Sequence, residues 1–387
     1  MRKIALVSDG RVSHGIYTPV LDEIIKSKNL DYYYIVTGMH LSKEFGSTLE
    51  TIKKEDYKIS HVLPISFDKN EKNKQVKNIG KYILALTQLF EKHKPDIILA
   101  QGDRGVTLAV AIVGSHLSIP VAHMHGGEVS KTLDEYTRHA ITQYANLHFP
   151  ATKKSAKRLE LLGQEKSRIY LTGSTAVDYI LKQKFINKDI LERKLNLNLE
   201  EKIAVLLQHP VSEEKGLNGT NFDNTIKALL ESEINKIVII YPNSDEGSQE
   251  ILNVINKIEK SNNNRFRVYK NLPFLTYLSL LKYSSFLIGN SSGGIIEAPV
   301  IGIPVINVGT RQDGRERSPA IIDVGYNKKE ILKAINKALH DNKFLKIISK
   351  KRSPYHPYND GKAAQRMVNI LENIKIDSKL LNKRLTY

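Results

Sequence analysis

Short apolar runs alternate with longer amphipathic segments along almost the whole chain. In the first half, these runs fall at 4–8, 33–37, 97–101, 120–125 and 169–172. They are apolar without polar alternation, which suits strands that are buried on both faces. Such strands separated by helices indicate an α/β fold that is built on a doubly wound parallel sheet.

The same pattern starts again after a polar, charged segment with helical character at 182–202. The second set of apolar runs lies at 203–208, 237–241, 266–269, 286–289 and 305–308. A chain of 387 residues also exceeds the usual size of a single hydrophobic core. We therefore predict two Rossmann-like domains, at 1–178 and 179–360, with a C-terminal helix at 361–387 that packs back on the first domain. Because ligands bind at the carboxyl ends of parallel strands, two such domains predict a central cleft between facing sheets.

The absence of cysteine and the short lengths of the apolar runs indicate the cellular compartment of the protein. The chain contains no cysteine, which excludes disulfides, thiolate nucleophiles and thiolate metal sites. The apolar segment near the N-terminus ends at Ser8, before a signal-peptide core could form. No apolar run reaches the roughly 18 residues that a membrane-spanning helix needs. These features predict a cytoplasmic protein with no integral membrane segment.

The formal net charge of +17 comes from 58 basic and 41 acidic residues. A nucleic-acid surface would need clustered cations with interleaved aromatic side chains. The lysines are instead spread over amphipathic segments such as 328–343. The charge therefore indicates solvated helix faces and no nucleic-acid partner, with a residual attraction for anionic substrates.

A serine- and glycine-rich turn at 289–294 follows a predicted strand and opens a predicted helix. Amides at a helix N-terminus carry partial positive charge, and the hydroxyls of Ser291 and Ser292 add donors, so this turn suits a phosphate group. Glu297, one turn further, suits the two hydroxyls of a ribose. The alternative is an ordinary capped helix with an acid in its first turn.

Three more side chains follow strands of the second predicted domain. Arg311 lies either against a diphosphate, whose geometry a guanidinium matches, or in a solvated surface turn. His209 lies where Pro210 ends a strand, so its imidazole suits leaving-group assistance, phosphate binding or a structural role. Asn243 repeats this placement one strand later and would line the same wall.

Carboxylates and histidines follow the strands of the first predicted domain. Asp103 is adjacent to Arg104, a cation that favours the ionised carboxylate and so suits a general base. His125 and Glu128 follow the next strand and concentrate further proton-transfer groups there. Together with His123, which would share a strand face with His125, they also suit a metal ion. The helical histidine pair of common metal hydrolases is absent, however, and we predict no metal and no cofactor.

A helix predicted at 134–144 places Asp134 and Arg138, four residues apart, on one face. Arg11 follows the first strand, where the three-glycine pattern of dinucleotide folds is absent. Its side chain is nevertheless placed to reach a β-phosphate.

Over nearly its whole length, the chain resembles the hydrolysing UDP-N-acetylglucosamine 2-epimerases of sialic-acid pathways, which have a glycosyltransferase-B-like fold. The phrases that carry the resemblance occur in the family's order and are Val36-Thr37-Gly38-Met39-His40, Gly102-Asp103-Arg104, His125-Gly126-Gly127-Glu128, Arg138-His139-Ala140-Ile141-Thr142, Gln208-His209-Pro210-Val211, Gly289-Asn290-Ser291-Ser292, Pro304-Val305-Ile306-Asn307 and Gly309-Thr310-Arg311-Gln312.

The resemblance implies a metal-free reaction in two steps. UDP leaves C1 as a proton is taken from C2, and water then adds to the glycal with inverted configuration at C2, releasing N-acetylmannosamine. The residues implied for catalysis are Asp103, Glu128, Asp134, His209 and His125. The residues implied for substrate binding are Arg11, His40, Arg104, Arg138, Asn243, Ser291, Ser292, Glu297 and Arg311. The resemblance also implies a UDP-sugar as substrate and a homodimer or homotetramer.

The chain departs from the family pattern on the sugar side. Ser13 and His14 stand where an acidic residue and a tyrosine are usual, and Gly105-Val106 replaces a common aromatic and acidic pair. His125 stands where many non-hydrolysing relatives have glutamate. A UDP-2,4-diacetamido-trideoxy sugar of the legionaminic-acid type is therefore an alternative substrate. A non-hydrolysing epimerase, a glycosyltransferase of the same fold and a nucleotide-sugar sensor are alternative functions.

Overall fold

The computed structural model describes residues 1–42, 48–55, 57–65, 73–243 and 245–387. The chain forms two compact units. The N-terminal unit comprises 1–129, 133–181 and 354–387, and the C-terminal unit comprises 130–132 and 182–353. The predicted division after residue 178 stays a prediction about independently folding domains.

Each unit is built on one parallel sheet. The strands of the N-terminal unit are β1 (Arg2–Ser8), β2 (Leu30–Val36), β3 (Ile59–Val62), β4 (Ile97–Gln101), β5 (Val121–Met124) and β6 (Leu147–Phe149). Those of the C-terminal unit are β7 (Ile203–Leu207), β8 (Lys236–Ile240), β9 (Phe266–Tyr269), β10 (Phe286–Gly289), β11 (Val305–Val308) and β12 (Ile321–Val324). Over the described residues, the sheet orders are β3-β2-β1-β4-β5-β6 and β12-β11-β10-β7-β8-β9. Counted from the first strand of its own unit, each sheet has the Rossmann order, which confirms the predicted α/β class.

Helices connect these strands. In chain order they are α1 (Arg11–Lys26), α2 (Leu49–Lys53), α3 (Lys74–His93), α4 (Gly105–His116), α5 (Leu133–Tyr144), α6 (Lys153–Leu161), α7 (Thr175–Lys182), α8 (Lys188–Leu195), α9 (Asn218–Glu231), α10 (Ser248–Lys260), α11 (Phe274–Tyr283), α12 (Ser292–Ile296), α13 (Ala298–Ile301), α14 (Lys328–His340), α15 (Asn342–Ile348), α16 (Ala363–Asn373) and α17 (Ser378–Leu381). Short 3₁₀ turns occupy Gly38–Leu41, Lys166–Arg168 and Ser212–Glu214. No helix among the residues with assigned structure is both long and apolar enough to cross a membrane.

The apolar periodicity of the sequence explains which faces are buried. Every residue of β7 is buried, as expected for an inner strand covered on both faces. On α14, Ile331 and Ile335 are buried while Lys333 and Lys337 are exposed, so one apolar stripe packs inward. The lysines that raise the net charge thus lie on solvated faces of helices such as this one.

The C-terminal segment belongs to the N-terminal unit. Helix α16 contacts α1, and the guanidinium of Arg2 donates to the carbonyl of Glu372 at 3.0 Å. The amphipathic pattern that starts near Gly361 therefore corresponds to a helix that packs against the first element pair of the chain.

Most predicted strands are confirmed, and the errors have simple causes. The run at 169–172 is not a strand, because only a single bridge joins Ile169 to His148. The edge strands β3 and β12 were not predicted, since they are half-exposed and carry polar residues. Strand β6 was not predicted because it is only three residues long and contains a histidine.

The strand order reverses between β1 and β4 in the N-terminal unit and between β7 and β10 in the C-terminal unit. In open α/β sheets, the loops at the carboxyl ends of strands flanking such a reversal diverge and leave room for a ligand. Asp103 follows β4, and Asn290 follows β10. Both predicted clusters therefore lie at the position where each sheet favours a binding site.

Candidate functional site

Asp103 lies on the turn after β4 and forms an ion pair with Arg138 of α5. The side chain of Arg138 is only 1% exposed, whereas 19% of the Asp103 side chain is exposed. Arg138 also donates to the carbonyl of Glu128 at 3.0 Å. A buried guanidinium therefore fixes the orientation of a carboxylate that still reaches solvent.

Arg104, the predicted neighbouring cation of Asp103, points its Nε atom to Asp9, 3.5 Å from Oδ2. Asp9 in turn accepts from the hydroxyl of Ser13 at 3.1 Å, and Ser13 lies 3.0 Å from Ser8. Arg138, a cation that pairs with Asp103, comes from α5 and is 35 residues away in sequence, so sequence adjacency gave no indication of this pair.

His40 extends the same network into the protein interior. Its Nε2 atom lies 2.8 Å from the hydroxyl of Ser8, and the residue is fully buried. Burial, and then the nearby His14, lower the pKa of His40 to about 3, so its imidazole is neutral. A neutral, enclosed imidazole supports the loop after β2.

His14 lies beside His40 at the edge of this network. Its ring nitrogens contact the hydroxyl of Tyr34 and the carboxylate of Glu55, each at 2.7 Å. Ser13 and His14 are therefore both integrated into hydrogen-bonded networks.

His125 and Glu128 form a second fixed pair. The Nδ1 atom of His125 lies 2.7 Å from Oε1 of Glu128, and its Nε2 atom lies 3.3 Å from the hydroxyl of Ser174. All three residues are buried. This arrangement of imidazole, carboxylate and hydroxyl can pass a proton along hydrogen bonds.

The predicted shared face of His123 and His125 is wrong. Strand β5 ends at Met124, and His125 has a φ of 61°, so the strand alternation stops before it. His123 instead donates from Nε2 to the carbonyl of Gly102 at 2.8 Å, and its Nδ1 atom lies 3.2 Å from the hydroxyl of Thr142. Burial lowers the pKa of His123 to about 4, so its imidazole is neutral.

Among the residues that the structure describes, no group of three or more histidine, aspartate or glutamate side chains is arranged to hold a metal ion. Both ring nitrogens of His123 already have protein partners.

Two further predicted residues lie in the first turns of helices. Arg11 is the first residue of α1 and is half-buried, so it opens a helix and does not end the strand. Asp134 is the second residue of α5, also half-buried, and lies in the same helix as Arg138. Acidic side chains are favoured at this end of a helix.

In the C-terminal unit, Asn290 joins the ends of β10 and β7. Its side chain accepts from the amide of His209 at 2.6 Å and donates to the carbonyl of the same residue at 2.9 Å. Gly289, just before it, has a φ of 127°, and a Cβ atom there would lie 2.2 Å from the carbonyl oxygen of Leu207. This turn therefore needs glycine and then asparagine.

The orientation of His209 follows from this turn. The amide of Asn243 donates to Nδ1 of His209 at 3.0 Å, so the neutral ring carries its proton on Nε2. The side chain of Asn243 donates to Asp245. His209 thus has a defined tautomer with one ring donor directed away from Asn243.

Ser291 caps α12, because its hydroxyl accepts from the amide of Gly293 at 3.2 Å. Ser292 begins that helix, and the buried Glu297 follows its last turn. A Cβ atom at Gly293 would lie 2.8 Å from the hydroxyl of Tyr277, which the sequence did not single out. The capped helix is therefore present, and the binding of a phosphate at this turn stays a prediction.

Arg311 and Gln312 hold the same turn from β11. Arg311 Nη1 and Gln312 Nε2 donate to the carbonyl of Asn290 at 3.3 and 2.8 Å. Arg311 is thus tied to the serine turn and does not lie in a free surface loop. Gln312 is buried, and its role was not predicted, because a lone glutamine after a strand carries no distinctive sequence signal.

The chain matches the family model described as UDP-N-acetylglucosamine 2-epimerase over residues 22–372. It is 36% identical over 387 residues to a hydrolysing UDP-N,N'-diacetylbacillosamine 2-epimerase from Legionella pneumophila, with 100% of both chains covered. It is 33% identical over 344 residues to a UDP-N-acetylglucosamine 2-epimerase from Neisseria meningitidis serogroup B, with 89% of each chain covered.

A solved structure of the UDP-N-acetylglucosamine 2-epimerase from Neisseria meningitidis, bound to UDP-N-acetylglucosamine, is similar to this chain with a TM-score of 0.80. The sequence identity is 21%, and the match covers 95% of this chain and 99% of that chain. This likeness shows the glycosyltransferase-B-like fold.

Proposed function

Because this chain belongs to the UDP-N-acetylglucosamine 2-epimerase family, we propose that it is a hydrolysing 2-epimerase that acts on a UDP-linked N-acetylamino sugar. With UDP-N-acetylglucosamine, the products are N-acetylmannosamine and UDP, which supply nonulosonic (sialic) acid synthesis. The observation that carries the proposal is the pair of fixed acid–base groups in the N-terminal unit, Asp103 with Arg138 and His125 with Glu128.

The proposed reaction has two balanced steps. In the first, a base takes the C2 proton while the C1–O bond to UDP breaks, giving a glycal and UDP. In the second, water adds across the C1–C2 double bond, with hydroxyl at C1 and a proton at C2 on the opposite face. Inversion at C2 requires proton transfer on two faces, so more than one acid–base group is needed.

We assign the proton transfers to the N-terminal unit. Asp103 removes the C2 proton, since its carboxylate is held by Arg138 and is partly exposed. The His125–Glu128 pair returns a proton on the other face. Asp134, in the first turn of α5, serves as the further catalytic carboxylate and orients the water.

Two residues implied as substrate ligands receive a supporting role in this proposal. Arg138 is almost completely buried and engaged with Asp103, so it positions that carboxylate. His40 is fully buried against Ser8, so it supports the loop after β2. Arg104 keeps the proposed role in substrate binding.

We assign UDP to the C-terminal unit. Arg311 and the Nε2 proton of His209 neutralise and bind the diphosphate, with donors from the turn at Ser291 and Ser292. Glu297 binds the ribose hydroxyls and Asn243 lines the same wall. The role proposed for Arg11 is to bind the β-phosphate. The hydrogen bond from Nε2 stabilises the charge that develops on the departing diphosphate, which gives His209 a role in the first step.

UDP-N,N'-diacetylbacillosamine is the second candidate substrate. The relative of 36% identity that spans the full chain carries this activity in its name. The replacements Ser13 and His14 fall at positions that the family resemblance places on the sugar side. We therefore expect kcat/KM for this sugar to exceed that for UDP-N-acetylglucosamine.

Elimination and hydration need only acids, bases and a good leaving group. We therefore propose an enzyme that needs no metal and no cofactor and works as a cytoplasmic homodimer or homotetramer. Turnover that disappears with chelator and returns with added metal would contradict the metal-free assignment.

NMR of the products in D₂O tests the proposal. Purified protein is incubated separately with UDP-N-acetylglucosamine and UDP-N,N'-diacetylbacillosamine. We expect UDP and a free 2-epimerised sugar that carries deuterium at C2. An intact, interconverted UDP-sugar would indicate the non-hydrolysing reaction, and UDP release only with an added acceptor would indicate a glycosyltransferase.

A further inference from the structure

Lys383 lies in the last segment of the chain, yet its ammonium group is directed into the N-terminal unit. It donates to the carbonyls of Ala145 and Thr142 at 2.7 and 3.1 Å, and to Oε1 of Gln164 at 2.9 Å. The two carbonyls belong to the last turn of α5 and the residue after it. A cation at the C-terminus of a helix satisfies carbonyls that lack helical partners and complements the helix dipole.

The segment that carries Lys383 is held in place by other contacts. Arg168 donates to the carbonyls of Leu380 and Lys379 at 2.8 and 2.6 Å, and Asn146 donates to the carbonyl of Leu380 at 3.1 Å. The amide of Thr386 donates to the carbonyl of Gly163 at 3.0 Å. The position of Lys383 is therefore determined by its surroundings on both sides.

The same helix turn leads to the proposed base. Lys383 binds the carbonyl of Thr142, whose hydroxyl lies 3.2 Å from Nδ1 of His123. His123 donates from Nε2 to the carbonyl of Gly102 at 2.8 Å, one residue before Asp103. Since a carbonyl only accepts, the single ring proton of neutral His123 lies on Nε2, and Nδ1 must accept from the hydroxyl of Thr142. Each donor and acceptor in this series of hydrogen bonds is therefore fixed.

We infer that Lys383 is a positioning residue: through Thr142 and His123 it holds the Gly102–Asp103 turn, and through α5 it holds Arg138 against Asp103. The inference rests on the proposed function for its effect on turnover. Its structural part, the coupling of residue 383 to the turn after β4, stands independently of that function. Coupling of this kind is carried by packed side chains and hydrogen bonds that share one rigid element.

The ammonium form of Lys383 is sensitive to pH in the working range of many enzymes. Burial, and then the charge of Arg168, lower the pKa of Lys383 to about 8, while Glu165 opposes them. His148 of β6 faces the same group, and its own pKa is lowered by burial and by Lys383. The ammonium is therefore present below about pH 8 and is lost as the pH rises through that value.

The test compares Lys383→Met, which keeps the length without the charge, with Lys383→Arg, which keeps the charge at all working pH values. The exposed Lys379→Met is the matched control. We expect Lys383→Met to lower kcat by about 10-fold and to leave UDP affinity within about 2-fold. Lys383→Arg restores kcat and retains it at pH 9, where the wild type declines. Lys379→Met behaves as wild type.

Hydrogen exchange followed by mass spectrometry provides a readout that does not depend on turnover. We expect Lys383→Met to speed exchange in peptides covering 99–105 as well as in those covering 138–146. Faster exchange confined to 138–146, or no change in either, would overturn the inference. If the wild type releases no UDP from any sugar tested, the proposed function fails, while the exchange result still decides the coupling.

A second variant covers the case in which Lys383→Met does not fold. Thr142→Val removes the hydroxyl that binds His123 but keeps the shape of the side chain, and Thr142→Ser keeps the hydroxyl. The inference expects faster exchange at 99–105 for the valine variant and wild-type exchange for the serine variant. Equal behaviour of the two would contradict it.

Discussion

The two units share one sheet order but build their clusters from different chemical groups. In the N-terminal unit, the turn after β4 is fixed by side chains, chiefly the ion pair of Asp103 with Arg138 and the hydrogen bond of His123 to Gly102. In the C-terminal unit, the turn after β10 is fixed by hydrogen bonds between side chains and main-chain groups. Asn290 binds the amide and carbonyl of His209, and its own carbonyl accepts from Arg311.

This difference matches a difference in chemistry. Carboxylates and imidazoles exchange protons, so a cluster of such side chains suits acid–base catalysis. Oriented amides, hydroxyls and a guanidinium keep their charge distribution, so they suit the negative charge of a diphosphate. Under the proposed function, one topology therefore supports proton transfer in one unit and anion binding in the other, depending on the residues at the strand ends.

The largest expected effect is that of Asp103→Asn. The amide keeps the shape but cannot accept a proton, so we expect kcat to fall by about 1000-fold while UDP affinity is retained. Steady-state rates and isothermal titration with UDP check this result. Asp31→Asn, an exposed aspartate of the same unit, is the control and is expected to leave kcat unchanged. An unaltered rate for Asp103→Asn would remove the base from the account.

The turns after β10 and β4 are expected to differ in how well they tolerate replacement of glycine by alanine. Gly289→Ala forces a Cβ atom to within 2.2 Å of the Leu207 carbonyl at a φ of 127°, so we expect a loss of about 3 kcal/mol or more in unfolding free energy. Gly102→Ala has a φ of 76° but open space around its Cβ, so we expect about 1 kcal/mol. Urea unfolding of both variants shows which one loses more unfolding free energy. Equal losses would argue against a tighter turn in the C-terminal unit.

Removal of the arginine from the serine turn is expected to affect binding more than rate. Arg311→Gln loses one charge-assisted contact of about 2 kcal/mol, so we expect UDP affinity to weaken by about 30-fold. At saturating substrate, kcat is expected to stay within about 3-fold of the wild-type value. Lys329→Gln, an exposed cation of the same unit, controls for net charge. A similar weakening in that control would reduce the Arg311 effect to long-range electrostatics.

The smallest expected effect is a pH dependence of the stability of the N-terminal unit. Burial lowers the pKa of His123 to about 4 and that of His40 to about 3, so both bind fewer protons folded than unfolded between those values and about 6.5. The contribution of the two neutral histidines to the free energy of unfolding is therefore complete above about pH 6.5 and declines on acidification. At pH 6 the loss is about 1 kcal/mol for each histidine. Thermal unfolding at pH 7.5 and pH 6, with exchange peptides assigned to each unit, measures it. Constant stability of peptides around β5 would contradict the neutral assignments.

Local sequence patterns predicted the inner strands and the side chains that follow them, because burial on two faces leaves an unmistakable apolar run. They did not predict partners. The spacing of Asp134 and Arg138 suggested a pair within α5, and adjacency suggested that Asp103 pairs with Arg104. The folded chain also brings Arg138 to Asp103, and this ion pair depends on how α5 packs beside β5 and α4.

Other contacts lacked any local signal. His123 was interpreted as a metal-ligand candidate, because alternation in a strand was assumed to continue through His125. A left-handed residue at His125 ends that alternation. The contacts of Asn290 with His209 and of Lys383 with α5 join segments that are far apart in sequence, so only the three-dimensional structure reveals them.

The single-turnover rate of UDP release at saturating sugar nucleotide, measured for Asp103→Asn beside Arg311→Gln, tests the division of labour most directly. We expect Asp103→Asn to be slower than wild type by about 1000-fold and Arg311→Gln to remain within about 3-fold. Equal losses in the two variants, or a larger loss for Arg311→Gln, would contradict it.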